Sequence, residues 1–301
     1  MNQETRSGFI AIVGRPNVGK SSLLNAMIGE KIAIVSDKPQ TTRTRITGVL
    51  TRGKTQLAFI DTPGMHRPRT RLSEFMVKQV TDSVGEVDAA VLVLEAGMQP
   101  GDTERQLAES FAQRKLPAVA VISKMDTVED KSIILSQMAA LAKLYDFREI
   151  FPLSARTGEG VEEFIGLLEP FAKPGPHFFD DDKFTDQPEK VLAAEMVREQ
   201  ILRNLRDEVP HGVAVVVESM AEHTARSGEE VLDVEATIYC ERENHKGMII
   251  GKGGAMLKRI DTQARGEMEN FFQIQVNLKC WVKVKEDWRN REQILQSLGY
   301  N

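Results

Sequence analysis

The sequence predicts an α/β fold: a six-stranded, mostly parallel sheet with flanking helices, followed by a smaller α+β domain. Three observations carry that expectation. Short apolar runs alternate with helix-period stretches from residue 9 to about 170, the pattern of strand–helix–strand crossovers. A glycine-rich loop joins the first apolar run to the first helical stretch. Composition then breaks at the proline-rich run from Glu169 to His177 and the acidic Asp180-Asp181-Asp182, as a linker would. A chain of 301 residues is long enough for two cores. The expected boundaries are 1–172 for the first domain, 173–187 for the linker and 188–301 for the second.

Strands are expected at 9–13, 47–51, 57–60, 89–95, 118–122 and 150–153, with helices at 21–28, 72–84, 103–114, 131–144 and 161–171 between them. The first strand leads into Gly14-Arg15-Pro16-Asn17-Val18-Gly19-Lys20-Ser21, which fits G-x-x-x-x-G-K-[ST] in its required strand–loop–helix setting. Glycines let backbone N–H groups approach phosphate oxygens, and the helix start adds partial positive charge. Lys20 would reach the β- and γ-phosphates, and the Ser21 hydroxyl would hold Mg²⁺.

Further along, Gln40-Thr41-Thr42-Arg43 lies in a polar stretch before the second strand. A threonine hydroxyl there can close on Mg²⁺ when a γ-phosphate is bound, and Thr42 is favoured over Thr41. Asp61-Thr62-Pro63-Gly64 ends the third strand: Asp61 suits Mg²⁺ and the Gly64 N–H suits the γ-phosphate. Lys20, Thr42 and Gly64 are thus the candidate catalytic groups. Met65 stands next, and it cannot orient an attacking water. Ser123-Lys124-Met125-Asp126 follows the fifth strand. The Asp126 carboxylate can accept two hydrogen bonds from guanine N1–H and N2, a pair that adenine lacks. The Lys124 stem would cover the base, and a backbone N–H at Ser154-Ala155 would meet guanine O6.

In the second domain a helix is expected at 188–206, its inner face marked by Val191, Leu192, Ala194, Glu195, Val197, Ile201, Leu202 and Leu205. A strand pair at 213–218 and 231–240 surrounds the loop at 225–228, and another helix and a strand at 275–284 follow Gly254. Residues 248–260, Met-Ile-Ile-Gly-Lys-Gly-Gly-Ala-Met-Leu-Lys-Arg-Ile, resemble the core of a KH domain. Its G-x-x-G loop, Gly251-Lys252-Gly253-Gly254, joins two helices and clamps single-stranded RNA backbone. Ile250, Lys258 and Arg259 flank the clamp. The chain carries a net charge of −5, which advertises no nucleic-acid partner. Residues 242–265, however, hold six Lys+Arg against two acidic residues, so a basic patch coincides with the loop. Trp281 and Trp288 suit either base stacking or the core, and residues 288–300 suggest a short amphipathic helix.

No apolar run approaches 18 residues, so no membrane-crossing helix is expected. The N-terminal Met1–Arg6 lacks a secretory signal, which predicts a cytoplasmic protein. Two distant cysteines, Cys240 and Cys280, read as buried structural thiols.

With these motifs in order, the chain resembles the translation-factor-related GTPases. Within them it is similar to the Era-type family, a GTP-binding domain followed by a type II KH domain. The resemblance implies a GTPase that uses GTP/GDP and Mg²⁺, with K⁺ held near Asn17. It implies slow hydrolysis of GTP, binding to the 3′ region of small-subunit ribosomal RNA, and work on the pre-30S particle. It also implies a monomer with peripheral contact to the inner membrane. Two departures stand out. Ser123 replaces the usual asparagine of the base-reading motif, which predicts a weaker brace on the phosphate loop, and Met65 predicts slow turnover. A scaffold with a non-hydrolysing pocket and a membrane-associated signalling GTPase are the open alternatives.

Overall fold

The computed structural model describes residues 4–38, 40–65, 70–85, 87–206, 209–225 and 227–300. The chain forms two units: Met1–Ala33, Thr42–Pro68 and Ser73–Asp186 make the first, and Ile34–Thr41, Arg69–Leu72 and Gln187–Asn301 the second.

In the first unit the elements run β1 (Arg6–Gly14), α1 (Lys20–Ile28), β2 (Ile46–Arg52), β3 (Thr55–Asp61), α2 (Arg71–Gly85), β4 (Ala89–Glu95), α3 (Asp102–Arg114), β5 (Ala118–Ser123), α4 (Ser132–Ala142), β6 (Ile150–Pro152), α5 (Val161–Leu168) and β7 (Lys173–Pro174). The strand order is β2-β3-β1-β4-β5-β6. Neighbours are parallel except β2, which pairs antiparallel with β3. β1, β4 and β5 are continuous Val/Ile/Leu/Ala runs because helices cover both faces of the sheet. One core cluster joins Val13, Leu92, Leu94, Ala120 and Ile122 to Leu107 and Phe111 of α3 and Leu141 of α4.

Two details differ from the sequence expectation. The helix expected to reach residue 171 stops at Leu168, and a single tight turn carries Glu169–Phe171, because Pro170 has no N–H to continue an α-helix. The segment expected as a linker is instead tied down from its first residue, and it raises the described sheet to seven strands. β1 pairs with β4 only from Ile10 onward, so Arg6 and Ser7 have open backbone groups. β7 takes them antiparallel. Beyond it, the Gln56 side chain accepts from the Phe178 and Phe179 N–H groups, and Thr185 donates to the Thr47 carbonyl. Phe178 stacks on Phe9 at 4.5 Å between centroids.

The second unit contains α6 (Glu189–Asn204), β8 (Ala214–Thr224), β9 (Glu230–Cys240), α7 (Glu243–Ile250), α8 (Ala255–Phe272), β10 (Gln275–Val284) and α9 (Glu292–Ser297). Its sheet has the order β10-β9-β8, with β10 parallel and β8 antiparallel to β9. Helix, two strands, two helices and a strand is the order expected of a type II KH fold. Val197 and Ile201 of α6, Val234, Ala236 and Ile238 of β9, and Ile260, Ala264 and Met268 of α8 share one core. Val191 falls off the expected inner face and is exposed, whereas Arg198, Glu199 and Gln200 are buried. That polar side of α6 faces Ile34–Thr41, which packs within this unit. Arg198 donates to the Thr41 carbonyl, Glu199 accepts from the Val35 N–H at 3.1 Å, and Lys38 caps the carbonyls of Leu202 and Leu205. The expected C-terminal helix is a tight turn at Trp288–Asn290 followed by the shorter α9. Trp288 is fully buried and donates to the Gly212 carbonyl at 2.9 Å, which settles it as core.

Candidate nucleotide and nucleic-acid sites

In an open parallel sheet, ligands bind in the crevice at the carboxyl ends of the strands, where the strand-to-helix loops lie. Here Gly14 ends β1, Asp61 ends β3, Ser123 ends β5 and Ser154 follows β6, so the four candidate segments lie on one edge. The phosphate loop is closed on itself. Lys20 is buried, and its ammonium donates to the carbonyls of Arg15 at 2.7 Å and Gly14 at 3.3 Å. Arg15 is anchored outside the loop by an ion pair with the buried Glu104 of α3 at 2.6 Å. The Asn17 backbone stands at φ 64°, in the left-handed region that Asn tolerates. Pro16, Val18 and Gly19 complete the loop.

Three oxygen groups from separate segments converge beside it. The Ser21 hydroxyl donates to Asp61 Oδ2 at 2.6 Å and lies 2.9 Å from the Thr42 hydroxyl, which is itself 3.5 Å from Asp61 Oδ2. Asp61 is wholly buried, and its Oδ1 has no hydrogen-bond partner among the described residues. Burial pushes its carboxyl up to about 6, against the attraction of Lys20 and the hydroxyls. Burial brings Lys20 down to about 8, opposed by Asp61. A hard-oxygen donor set with an orphaned carboxylate oxygen fits Mg²⁺. Thr42 joins this cluster, while the Thr41 hydroxyl donates to the Lys38 carbonyl instead.

Next along the edge, Thr62 is buried and donates to the Ile12 carbonyl, and Pro63 is buried too. A Cβ on Gly64 would sit 2.4 Å from the Pro16 nitrogen, so only glycine lets this segment lie against the phosphate loop. The Met65 N–H donates to the Gly14 carbonyl, and the Met65 side chain packs on the apolar core. His66–Arg69 lie outside the described residues.

Ser123 performs the bracing that its replacement of asparagine put in question. Its hydroxyl donates to the Val18 carbonyl at 2.5 Å, with Leu94 O at 3.3 Å. The Lys124 ammonium bonds the Asn17 carbonyl at 2.7 Å and Glu95 at 2.8 Å. Met125 packs on the same core as Met65. Asp126 Oδ1 accepts from the Ser154 hydroxyl at 2.5 Å, and Oδ2 pairs with Arg156 at 2.5 Å. The Ser154 bond, with help from Arg156, holds the Asp126 carboxyl below the usual range. Sequence reasoning missed Arg156, whose only signal is its place two residues after Ser154. The Ser154 N–H is committed to the Glu159 carbonyl at 2.9 Å.

In the second unit α7 ends at Ile250 and the G-x-x-G loop follows. Gly251, Gly253 and Gly254 all have φ between 61° and 80°, and a Cβ on Gly251 would stand 2.7 Å from Met256 Cβ. The loop thus requires its glycines for conformation and space. A groove of about 380 Å³ runs from Gly254 along α8, past Leu257, Lys258, Asp261, Thr262 and Arg265, to Leu278 of β10. Their i, i+3, i+4 spacing puts them on one helix face. Arg259 is exposed but does not line the groove, whereas Arg265 does. Lys252 is exposed on the loop. Asp261 was not foreseen. Burial raises its carboxyl, and its Oδ1 has no partner among the described residues. Cys240 is buried and Cys280 partly so; burial pushes both thiols up, as suits structural cysteines.

Comparisons with known proteins show the family of each part of the chain. A family model described as "50S ribosome-binding GTPase" matches residues 9–124, and a KH domain model matches residues 208–289. GTPase Era of Ruminiclostridium cellulolyticum is 46% identical over 295 residues, covering 98% of this chain and 97% of the relative. GTPase Era of Clostridioides difficile is 46% identical over 300 residues, covering 98% and 99%. A point variant of Aquifex aeolicus Era bound to GDP.AlF4⁻ superposes with a TM-score of 0.93 at 34% identity, covering 98% of this chain and 99% of that one. Era in complex with MgGDPNP and nucleotides 1506–1542 of 16S ribosomal RNA gives 0.92, also at 34% identity and with the same coverage. A phosphate loop and a G-x-x-G groove, in a chain 46% identical to two GTPase Era relatives along nearly its whole length, place it in the Era family of GTPases.

Proposed function

We propose that the chain is a GTP-driven switch that grips the 3′ region of small-subunit ribosomal RNA in its G-x-x-G groove and acts in small-subunit assembly. The observation that carries the reading is the meeting of Ser21, Thr42 and Asp61 within 3.5 Å of one another. A buried carboxylate oxygen without a partner among the described residues, beside two hydroxyls from other segments, suits a hard cation and the phosphates that accompany it.

In this reading the N–H groups from Gly14 to Ser21 cradle the phosphates, and Lys20 exchanges its loop carbonyls for phosphate oxygens. Ser21, Thr42 and Asp61 hold Mg²⁺, which when bound supplies positive charge against the phosphate negative charge. The Gly64 N–H reads the γ-phosphate. Met65 offers no proton acceptor, so turnover is slow. Asp126 accepts the guanine N1–H and N2 protons, Lys124 covers the base and Ala155 N–H meets O6. Asn17 holds K⁺ near the phosphates; turnover that is the same in sodium as in potassium would remove that part. Thr42 belongs to the oxygen trio, while the residue before it is held by Arg198 of α6. Ordering of Gln40–Arg45 by GTP is thereby passed to the RNA-binding unit through the chain itself. The functional domains are 1–172 and 188–301, and the protein works as a cytoplasmic monomer.

The test has two arms. Purified protein should release phosphate from GTP but not ATP above background, and Lys20→Ala should abolish this. Crosslinking to cellular RNA with and without a non-hydrolysable GTP analogue should recover 16S ribosomal RNA in a nucleotide-dependent amount. Equal recovery in both states would end the switch reading.

A further inference from the structure

Trp281 is unexplained by either site. It lies in mid-strand on β10, and 45% of it is exposed, in contrast to the buried Trp288. Alternation along β10 separates two sets. Leu278, Cys280, Val282 and Val284 pack on the core, while Lys279, Trp281 and Lys283 are exposed on the other face. In the parallel register Trp281 is opposite Thr237 and Lys283 is opposite Tyr239 of β9, so Trp281 and Tyr239 are diagonal neighbours on this outer face. The Lys285 ammonium lies 4.9 Å from the centroid of the Tyr239 ring. Carboxylates are present too: Glu235 stands opposite Lys279, and Glu218 accepts from the Tyr239 hydroxyl at 3.4 Å. Asp233 lies further along β9 on the same face, so three carboxylates stand against three lysines, with Lys279 and Lys283 flanking the Trp281 ring on its own strand.

β10 is an edge strand, and its other face reaches the groove through Leu278. Groove and outer face are thus separated only by the thickness of one strand. An exposed tryptophan among lysines offers a π-face to any base and positive charge to the backbone beside it. We propose that single-stranded RNA leaving the groove crosses the β10 edge and stacks a base on Trp281, making the outer sheet face a second RNA contact. This extends the RNA-binding reading given above and rests on it.

The test uses the full chain with GTP analogue, Mg²⁺ and nucleotides 1506–1542 of 16S ribosomal RNA as the probe. Trp281→Ala should weaken binding about tenfold, the size of one lost base–aromatic stack. Trp281→Phe, which keeps a ring, should stay within about twofold of wild type. In a hydroxyl-radical footprint, Trp281→Ala should expose nucleotides next to the clamped stretch while that stretch stays protected. RNA should quench the emission of Trp281, with the buried Trp288 as an internal standard. Wild-type affinity and footprint in a folded Trp281→Ala would overturn the proposal. So would a variant that loses only binding to phosphatidylglycerol vesicles, which would give the face to a membrane. If wild type fails to bind the probe, or Gly253→Asp leaves binding intact, the groove reading itself falls; a failed platform leaves both of those results as expected.

Discussion

At the scale of single residues, each site depends on side chains whose partners are already in place. Asp126 is oriented by Ser154 and Arg156 and kept ionised by them. Asp126→Asn replaces an acceptor with a donor where the proposed reading puts guanine N1–H. GTP affinity should fall about 100-fold, the cost of one unmatched charged hydrogen-bonding site, while ATP affinity stays as low as before. Titration with a fluorescent nucleotide measures it. Ser123→Ala removes the ties from β5 to the Val18 and Leu94 carbonyls. It should cost about 1 kcal/mol in thermal stability and weaken nucleotide binding several-fold, leaving guanine selectivity unchanged.

At the scale of elements, the segment after α5 shows how backbone pairing overrides composition. Proline and aspartate content suggests a free linker, yet β7, Gln56, Thr185 and the Phe9–Phe178 stack fasten it. His177 adds a pH-dependent tie. Both its ring nitrogens face acceptors, Asp181 Oδ1 at 2.5 Å and the Lys54 carbonyl at 3.1 Å. The Asp181 bond first, then the Lys54 bond, raises the imidazole above its ordinary value. A raised histidine contributes fully below the unfolded-state value and loses that contribution as pH rises through the folded-state one. Tryptic cleavage after Lys183 should therefore be slower in wild type than in His177→Gln at about pH 6, with the two rates converging above about pH 8. A second element-scale outcome concerns the close approach of the Asp61–Gly64 segment to the phosphate loop. Gly64→Ala would place a Cβ 2.4 Å from the Pro16 nitrogen. The segment must move away, so GTP hydrolysis should fall by about tenfold or more while GDP binding changes little.

At the scale of the whole molecule, charge is local. A chain with a net charge of −5 binds RNA only where cations are concentrated, and the groove with its glycine loop collects Lys252, Lys258 and Arg265. The three groove cations contribute about −2 to the log–log salt slope of a single strand. Lys258→Gln should reduce its magnitude by about 0.7. A slope that is unchanged in this variant would move the RNA path away from α8.

Much of this molecule was legible in one dimension. Phosphate loop, Asp61–Gly64, Ser123–Asp126 and G-x-x-G are contiguous motifs, because a backbone turn that cradles phosphate must be built from neighbouring residues. Alternating apolar runs likewise announced the parallel sheet, since strands buried on both faces have no polar side to display. What required the third dimension is whatever joins distant residues. Thr42 rather than Thr41 reaches Ser21 and Asp61, Arg156 reaches Asp126, and Ser123 supplies the brace assigned to an asparagine. β7 fills the open end of β1, Trp288 is buried, and Trp281 is left facing outward on an edge strand. Local pattern decides which element forms, because propensity and periodicity act over a few residues. Which side chains meet is decided by strand order and register, which are settled only when the whole sheet and its helices pack.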